Sequence, residues 1–171
     1  MPKSDDERLY NAVVGGDVAV FREIISRRPE LLNDDLPLGA TWLHMAAQGG
    51  AVGMLAAVAG MGVAVEARDD DQQTPLHYAA KNGRAAAAQW LMDEGAAVDA
   101  EDEVGRTPLI FAVFGAHADA VRVLLDRGAD PTLAHRGPSR HSALTLAQKS
   151  GDQQLITLLR AGAEKKKQSS D

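Results

Sequence analysis

The chain has 171 residues, 45% of them hydrophobic but only 4% aromatic, and carries 18 Lys+Arg against 24 Asp+Glu for a formal net charge of −6. An acidic balance argues against a general nucleic-acid surface, which needs a basic face, and the lack of cysteine excludes disulfides, thiolate zinc sites and cysteine nucleophiles. No run approaches the roughly 18 continuous apolar residues of a membrane span, and the polar, acidic opening MPKSDDERLY lacks the apolar core of a signal peptide, so a soluble protein of the cytoplasm is expected.

Residues 1–4 read as a short tail. A first helix follows around Leu9-Tyr10-Asn11-Ala12, preceded by Glu7-Arg8, and a second over Val18 to Ser26. Thr41-Trp42-Leu43-His44-Met45-Ala46-Ala47 opens another pair, whose second helix carries Gly53 and Gly60. Thr74-Pro75-Leu76-His77-Tyr78-Ala79-Ala80 repeats that pattern 33 residues later and leads into Arg84 to Asp93. Thr107-Pro108-Leu109-Ile110-Phe111-Ala112-Val113 lies a further 33 on, before Ala118 to Asp126. A fainter copy, Ser142-Ala143-Leu144-Thr145-Leu146-Ala147, comes 35 residues after that, followed by Gln153 to Arg160.

The residue types explain the pattern. A threonine hydroxyl just before a helix can accept from an otherwise unpaired backbone N–H. Pro75 and Pro108 fall at the first helical position, where a missing N–H costs nothing. Leu76 and Leu109 point inward, Ala79-Ala80 lets a neighbouring helix approach, and the second helix supplies larger apolar groups such as Val121, Leu124 and Leu125. One such pair cannot bury its own apolar face, whereas stacked pairs can. An interior helical Gly costs about 1 kcal/mol relative to Ala, and Ala85 to Ala88 offer little area, so the second and third units are expected to be softer than the fourth.

In its period and its Thr-Pro-Leu-His-x-Ala signature the chain resembles the ankyrin-repeat family. The resemblance covers roughly residues 5 to 163. It implies an all-α ankyrin-repeat solenoid of about five stacked helix-turn-helix units joined by β-hairpin-like fingers, at about 5–35, 36–68, 69–101, 102–136 and 137–163. The outer two units read as polar caps. Residues 164–171, with Lys165-Lys166-Lys167, are left as a charged tail expected to be disordered. The implied function is a non-enzymatic protein–protein interaction module, a monomer that acts as adaptor or inhibitor. It would bind a partner protein through a concave groove and acidic fingertips. An immunity-type protein neutralising a toxin is a narrower version of that reading; an enzyme or metal-binding protein using loop histidines is the rival. No cofactor, metal, nucleic-acid or membrane partner is expected.

Carried over by phase, the partner-facing positions are Asp70, Asp71, Gln73 and Lys81 in unit three and Glu101, Glu103, Val104, Arg106 and Phe114 in unit four. Pro37, Leu38 and Gln48 match them in unit two. Tyr78 and Phe111 read as half-buried helix residues whose edges reach the groove. Asp34-Asp35, Asp69 to Asp71 and Asp99 to Glu103 would form three acidic tips in a line, followed by a longer, basic finger from Ala134 to His141. Such a row suits a partner surface with basic groups. Its plainer explanation is turn formation and solubility, work that suits Asp69 and Asp102. Phe114 stands where Gln48, Lys81 and Lys149 stand in other units. An exposed aromatic there would be a binding hot spot, and filling a local gap beside Gly115-Ala116 is the alternative. Trp42 reads more as a packing residue than as a contact, and Trp90 reads as core.

The histidines give no metal site. His44 and His77 share a phase, but stacked helices lie about 8–10 Å apart while zinc–nitrogen bonds are near 2 Å. The resemblance implies instead that each ring ties its finger to the stack, with Ile110 and Thr145 breaking the series. His117 fits a turn, and His135 and His141 have no carboxylate between them. There is no Gly-rich phosphate loop and no Gly-x-Ser-x-Gly elbow. Exposed carboxylates without a cleft also lack the burial that raises a pKa for acid–base work.

Overall fold

The computed structural model describes residues 4–33, 36–137 and 140–168. Its α-helices form five antiparallel pairs: α1 Asp5–Gly15 with α2 Val18–Arg27, α3 Trp42–Gly49 with α4 Val52–Ala59, α5 Pro75–Lys81 with α6 Ala85–Asp93, α7 Pro108–Phe114 with α8 Ala118–Asp126, and α9 Ala143–Ser150 with α10 Gln153–Gln168. The first helices pack in one layer, α1 on α3, α3 on α5, α5 on α7 and α7 on α9; the second helices pack in another, α2 on α4, α4 on α6, α6 on α8 and α8 on α10. This is the regular pile expected from the 33-residue period.

The core runs unbroken through the stack. Leu43, Leu76 and Leu109 from the first helices and Met54, Leu55, Leu91, Leu124 and Leu155 from the second are fully buried or nearly so. Each such side chain contributes about 1.5–3 kcal/mol on leaving water. Buried Ala46, Ala47, Ala79, Ala80 and Ala112 line the first-helix layer and bring its backbones close together. Gly49 marks the tightest approach: a Cβ there would lie 2.3 Å from the Val14 carbonyl oxygen.

Polar ties set the register at two ends of each inner interface. At the finger end, the Thr41 N–H donates to His44 Nδ1 (3.0 Å), which leaves Nε2–H to donate to the Gln73 carbonyl one unit on (3.0 Å). Thr74, His77 and the Arg106 carbonyl repeat the arrangement at the same distances. Each threonine hydroxyl also reaches its histidine Nδ1, and threonine and histidine together close a capping box at the helix start. At the turn end, Arg84 Nε donates to the Gln48 carbonyl (2.9 Å) and His117 Nε2 to that of Lys81 (3.1 Å).

Two expectations are corrected. The 164–171 segment is not a disordered tail as far as Gln168: α10 runs on to that residue. Lys165 reaches Asp126, and Lys166 reaches the Gly128 carbonyl, Asp99 and Asp130. Gly162 is buried within that helix, where a Cβ would come 2.6 Å from Leu125 Cδ2. Trp90 is only partly buried and packs on the edge of the core. Trp42 is buried as expected, its indole N–H donating to the Leu31 carbonyl at 2.7 Å.

Candidate functional site

The fingers are tight turns, not strands; among the described residues the only β pairing is an isolated antiparallel bridge between Ala134 and Ser142. In units three and four an aspartate builds the turn. Asp69 Oδ1 accepts the Gln73 N–H and Asp102 Oδ1 the Arg106 N–H, both at 2.7 Å, while the Asp69 and Asp102 amides donate to the Gln73 and Arg106 carbonyls. The second carboxylate oxygen finds a different partner in each unit: the Tyr78 hydroxyl for Asp69 (2.9 Å) and Arg106 Nε for Asp102 (2.7 Å). Both aspartates are buried, so they belong to the framework and not to the acidic surface.

Neighbouring tips are joined through the main chain. The Asp70 N–H donates to the Leu38 carbonyl, Glu103 to Asp71, and Arg136 to Val104. The tips thus stand in file beside the exposed side of the first helices.

The ten predicted contact residues separate into three groups. Asp70, Asp71, Lys81, Glu103 and Phe114 are exposed, Phe114 to 61%. Tyr78, Glu101 and Arg106 are half-buried. Gln73 and Phe111 are buried, at 6% and 7% exposure. For Gln73 this corrects its placement among fingertip contacts: its N–H and carbonyl are consumed by Asp69 and His44. Phe111 lies beneath the Arg106 guanidinium, 4.8 Å from ring centroid to Cζ, with His77 edge-on to it at 5.5 Å. Asp34 and Asp35 lie outside the described residues.

Charge is unevenly settled. Glu101 is paired with Arg136 of the last finger, so the basic finger partly cancels its acidic neighbour. Arg68 donates to the Glu101 carbonyl and to that of Gln72, both at 2.8 Å. Among the described residues, Asp70, Asp71 and Glu103 have no ion-pair partner. Beyond Phe114 the surface turns cationic, with Arg140 and Lys149 beside a depression of ≈ 410 Å³ that His141 also lines; desolvation, then nearby Lys149, pushes the His141 ring below its ordinary value, so it adds no charge near neutral pH. A second depression, of ≈ 440 Å³, spans units one to three and has a mixed lining: Tyr10, Leu38, Met45 and Tyr78 beside the polar Gln48, Gln73 and Asn82 and the charged Asp71 and Lys81. Met45 shares the phase of Tyr78 and Phe111, a signal the sequence carried. Tyr10 falls on the phase of the buried His44, so the repeat pattern hid it.

Titration follows the packing. Burial holds His77 down to about 4, against the pull of the Arg106 carbonyl bond and nearby Asp102, and pushes His44 in the same direction. Burial, then the bond to Asp69, raises the Tyr78 phenol well above its ordinary value. These neutral, fully bonded groups are fixed parts of the frame. Among the described residues no three His, Asp or Glu side chains converge to hold a metal ion; the His135 and His141 rings stack 6.0 Å apart without a third ligand. No helix among them is long and apolar enough to cross a membrane.

The family model described as Ankyrin repeats (3 copies) matches the chain over residues 9–102, 43–135 and 89–169. A search of curated proteins finds no match.

Proposed function

We infer a protein-binding role from the premise that the chain belongs to the ankyrin-repeat family, whose repeats generally mediate contact with other proteins and are typically non-enzymatic. The chain acts as an adaptor or inhibitor that covers a partly basic surface of its partner with the concave groove and acidic tips. The observation that carries this reading is the leftover charge: Asp70, Asp71 and Glu103 stand exposed on adjacent tips without an ion-pair partner among the described residues, while nearby Asp102 and Glu101 are paired. Repulsion along that row is relieved by a cationic partner.

Affinity capture with mass spectrometry tests it. A triple variant, Asp70→Ser, Asp71→Ser and Glu103→Ser, is expected to lose most of what the parent retains, and the loss is expected to be larger at low salt. Asp119→Ser, on α8 and away from the tips, serves as the control. Undiminished capture by the triple variant at low and moderate salt removes the electrostatic reading.

A further inference from the structure

We propose that the tips of units two to four receive an amphipathic helix of a partner protein that presents an apolar, a basic and an apolar side chain about seven residues apart. The proposal rests on the protein-binding reading above and specifies the chemistry of the occupant.

Leu38, Asp71 and Val104 occupy one repeat phase, 33 residues apart in each step. Leu38 is 65% exposed and Val104 41% exposed, and between them Asp71 is exposed, its carboxylate accepting from Gln73 Nε2 at 3.4 Å but having no ion-pair partner among the described residues. The row of tips therefore reads apolar, acidic, apolar. Leu38 also holds φ at 63°, a left-handed conformation rare for a branched aliphatic residue, and from it stands at the wall of the depression formed with Tyr10, Met45 and Tyr78. The apolar part of that lining, Tyr10, Leu38, Met45 and Tyr78, suits an apolar anchor, and Asp71 in the same lining suits a cation beside that anchor.

The spacing follows from the main-chain bonds between fingers. Each finger is two chain segments wide, and hydrogen-bonded segments lie about 4.8 Å apart, so successive tips are about 10 Å apart. Helix packing at about 8–10 Å gives the same pitch. An α-helix rises 1.5 Å per residue and covers that pitch in about seven residues. Positions seven apart stay on one face of it, drifting only about 20° per step. An extended segment covers the pitch in about three residues, and its alternation turns every such third side chain to the opposite face. A helix keeps one face in phase with the tips; a strand does not.

The test uses a fluorescein-labelled, alanine-based helical peptide of about 21 residues, with leucine at its fourth and eighteenth positions and arginine at its eleventh, the seven-residue spacing derived above. Two companions replace the arginine by glutamate, or move the same three side chains to four-residue spacing. Fluorescence anisotropy is expected to show the first peptide binding at least tenfold more tightly than either companion. Leu38→Ser is expected to weaken it about tenfold, and Asp71→Lys to reverse the preference between arginine and glutamate. Circular dichroism on each protein variant checks that the helices persist, and Asp71→Ser provides a milder change at the same tip. Equal binding of the four-residue peptide, failure of Asp71→Lys to reverse the preference, or no binding of the first peptide overturns the proposal. If capture of the native partner still depends on Asp70, Asp71 and Glu103 in that last case, the general role stands and only the apolar–basic–apolar pattern falls.

Discussion

Unit three is bound to its neighbours differently from the way unit five is bound to unit four. On both sides of unit three a polar tie closes each end of the interface: His44 to Gln73 and Arg84 to Gln48 on one side, His77 to Arg106 and His117 to Lys81 on the other. Between units four and five both ties are missing. Ile110 fills the histidine phase, and Asp152, at the phase of Arg84 and His117, caps α10 by accepting the Leu155 N–H. The Thr107 hydroxyl, which would have served a histidine, is buried without a partner. The junction is held instead by apolar contact and by the long α10, with Gly162 against Leu125 and two lysines over the acidic turns of units three and four. Directional bonds fix the register inside the pile. At its end, where there is only one neighbour to choose, a longer helix and contact area are sufficient.

The largest expected effect comes from cutting a tie. His77→Ala removes one of the two donors to the Arg106 carbonyl, leaves the Thr74 N–H unpaired in the interior and opens a cavity, and is expected to cost about 3–5 kcal/mol in urea unfolding. A loss under about 1 kcal/mol would mean that the apolar layer alone holds units three and four together.

Acid should act through the same residue. In the unfolded chain His77 titrates near its ordinary 6.5, and in the stack at about 4, so the unfolded state takes up the proton first. The stability tied to its neutral form is complete above pH 6.5 and is lost as pH falls from there to about 4. The loss is on the order of 3 kcal/mol, and His44 adds to it in the same direction. Urea midpoints at intervals from pH 7 to 4.5 are expected to fall, and His77→Gln to flatten the slope. A flat parent curve would break the comparison.

Two threonines sharpen it. Thr74→Val removes a hydroxyl bonded to His77 and is expected to cost about 1–3 kcal/mol. Thr107→Val removes the unpartnered hydroxyl beside Ile110, so neutrality or a gain of about 0.5–1 kcal/mol is expected. Equal losses in thermal or urea melts would show that the histidine adds nothing to the cap. The smallest effect belongs to deletion of residues 164–171: exposed ion pairs contribute about 0–1 kcal/mol each, so global stability changes little while amide exchange in α9 and α10 accelerates. Protection that fades first in α4 or α6 would instead favour the softness that composition assigns to units two and three.

Much of this was legible from the repeat itself. Thr-Pro-Leu-His recurs because cap, first turn, core and tie are each made by one residue at a fixed place, so a 33-residue period exposes them all. The ties at the turns were not legible, because Arg84 and His117 share only reach and a donor, and two unlike side chains leave no common letter. Gln73 and Arg106 hold one phase, yet only Arg106 keeps part of its surface, because Phe111 lies beneath it where unit three has Tyr78 reaching Asp69. The helical run from Glu164 to Gln168 looked like a tail because its lysines answer aspartates about 40 to 70 residues earlier in the chain. No local pattern records such a partner. Among the candidate contacts, the chain order placed the tips but left their burial to packing against the next unit.

The bonds that line up the tips run between amides and carbonyls, which alanine, lysine or leucine supply equally well. Position 38, 71 or 104 can therefore change its chemical identity without loosening the row it stands in, whereas Asp69 and Asp102, each two places before a tip position, are held to aspartate by the turns they close. Lineages or laboratories wishing to redirect this protein have a short set of interchangeable letters on a fixed line of type.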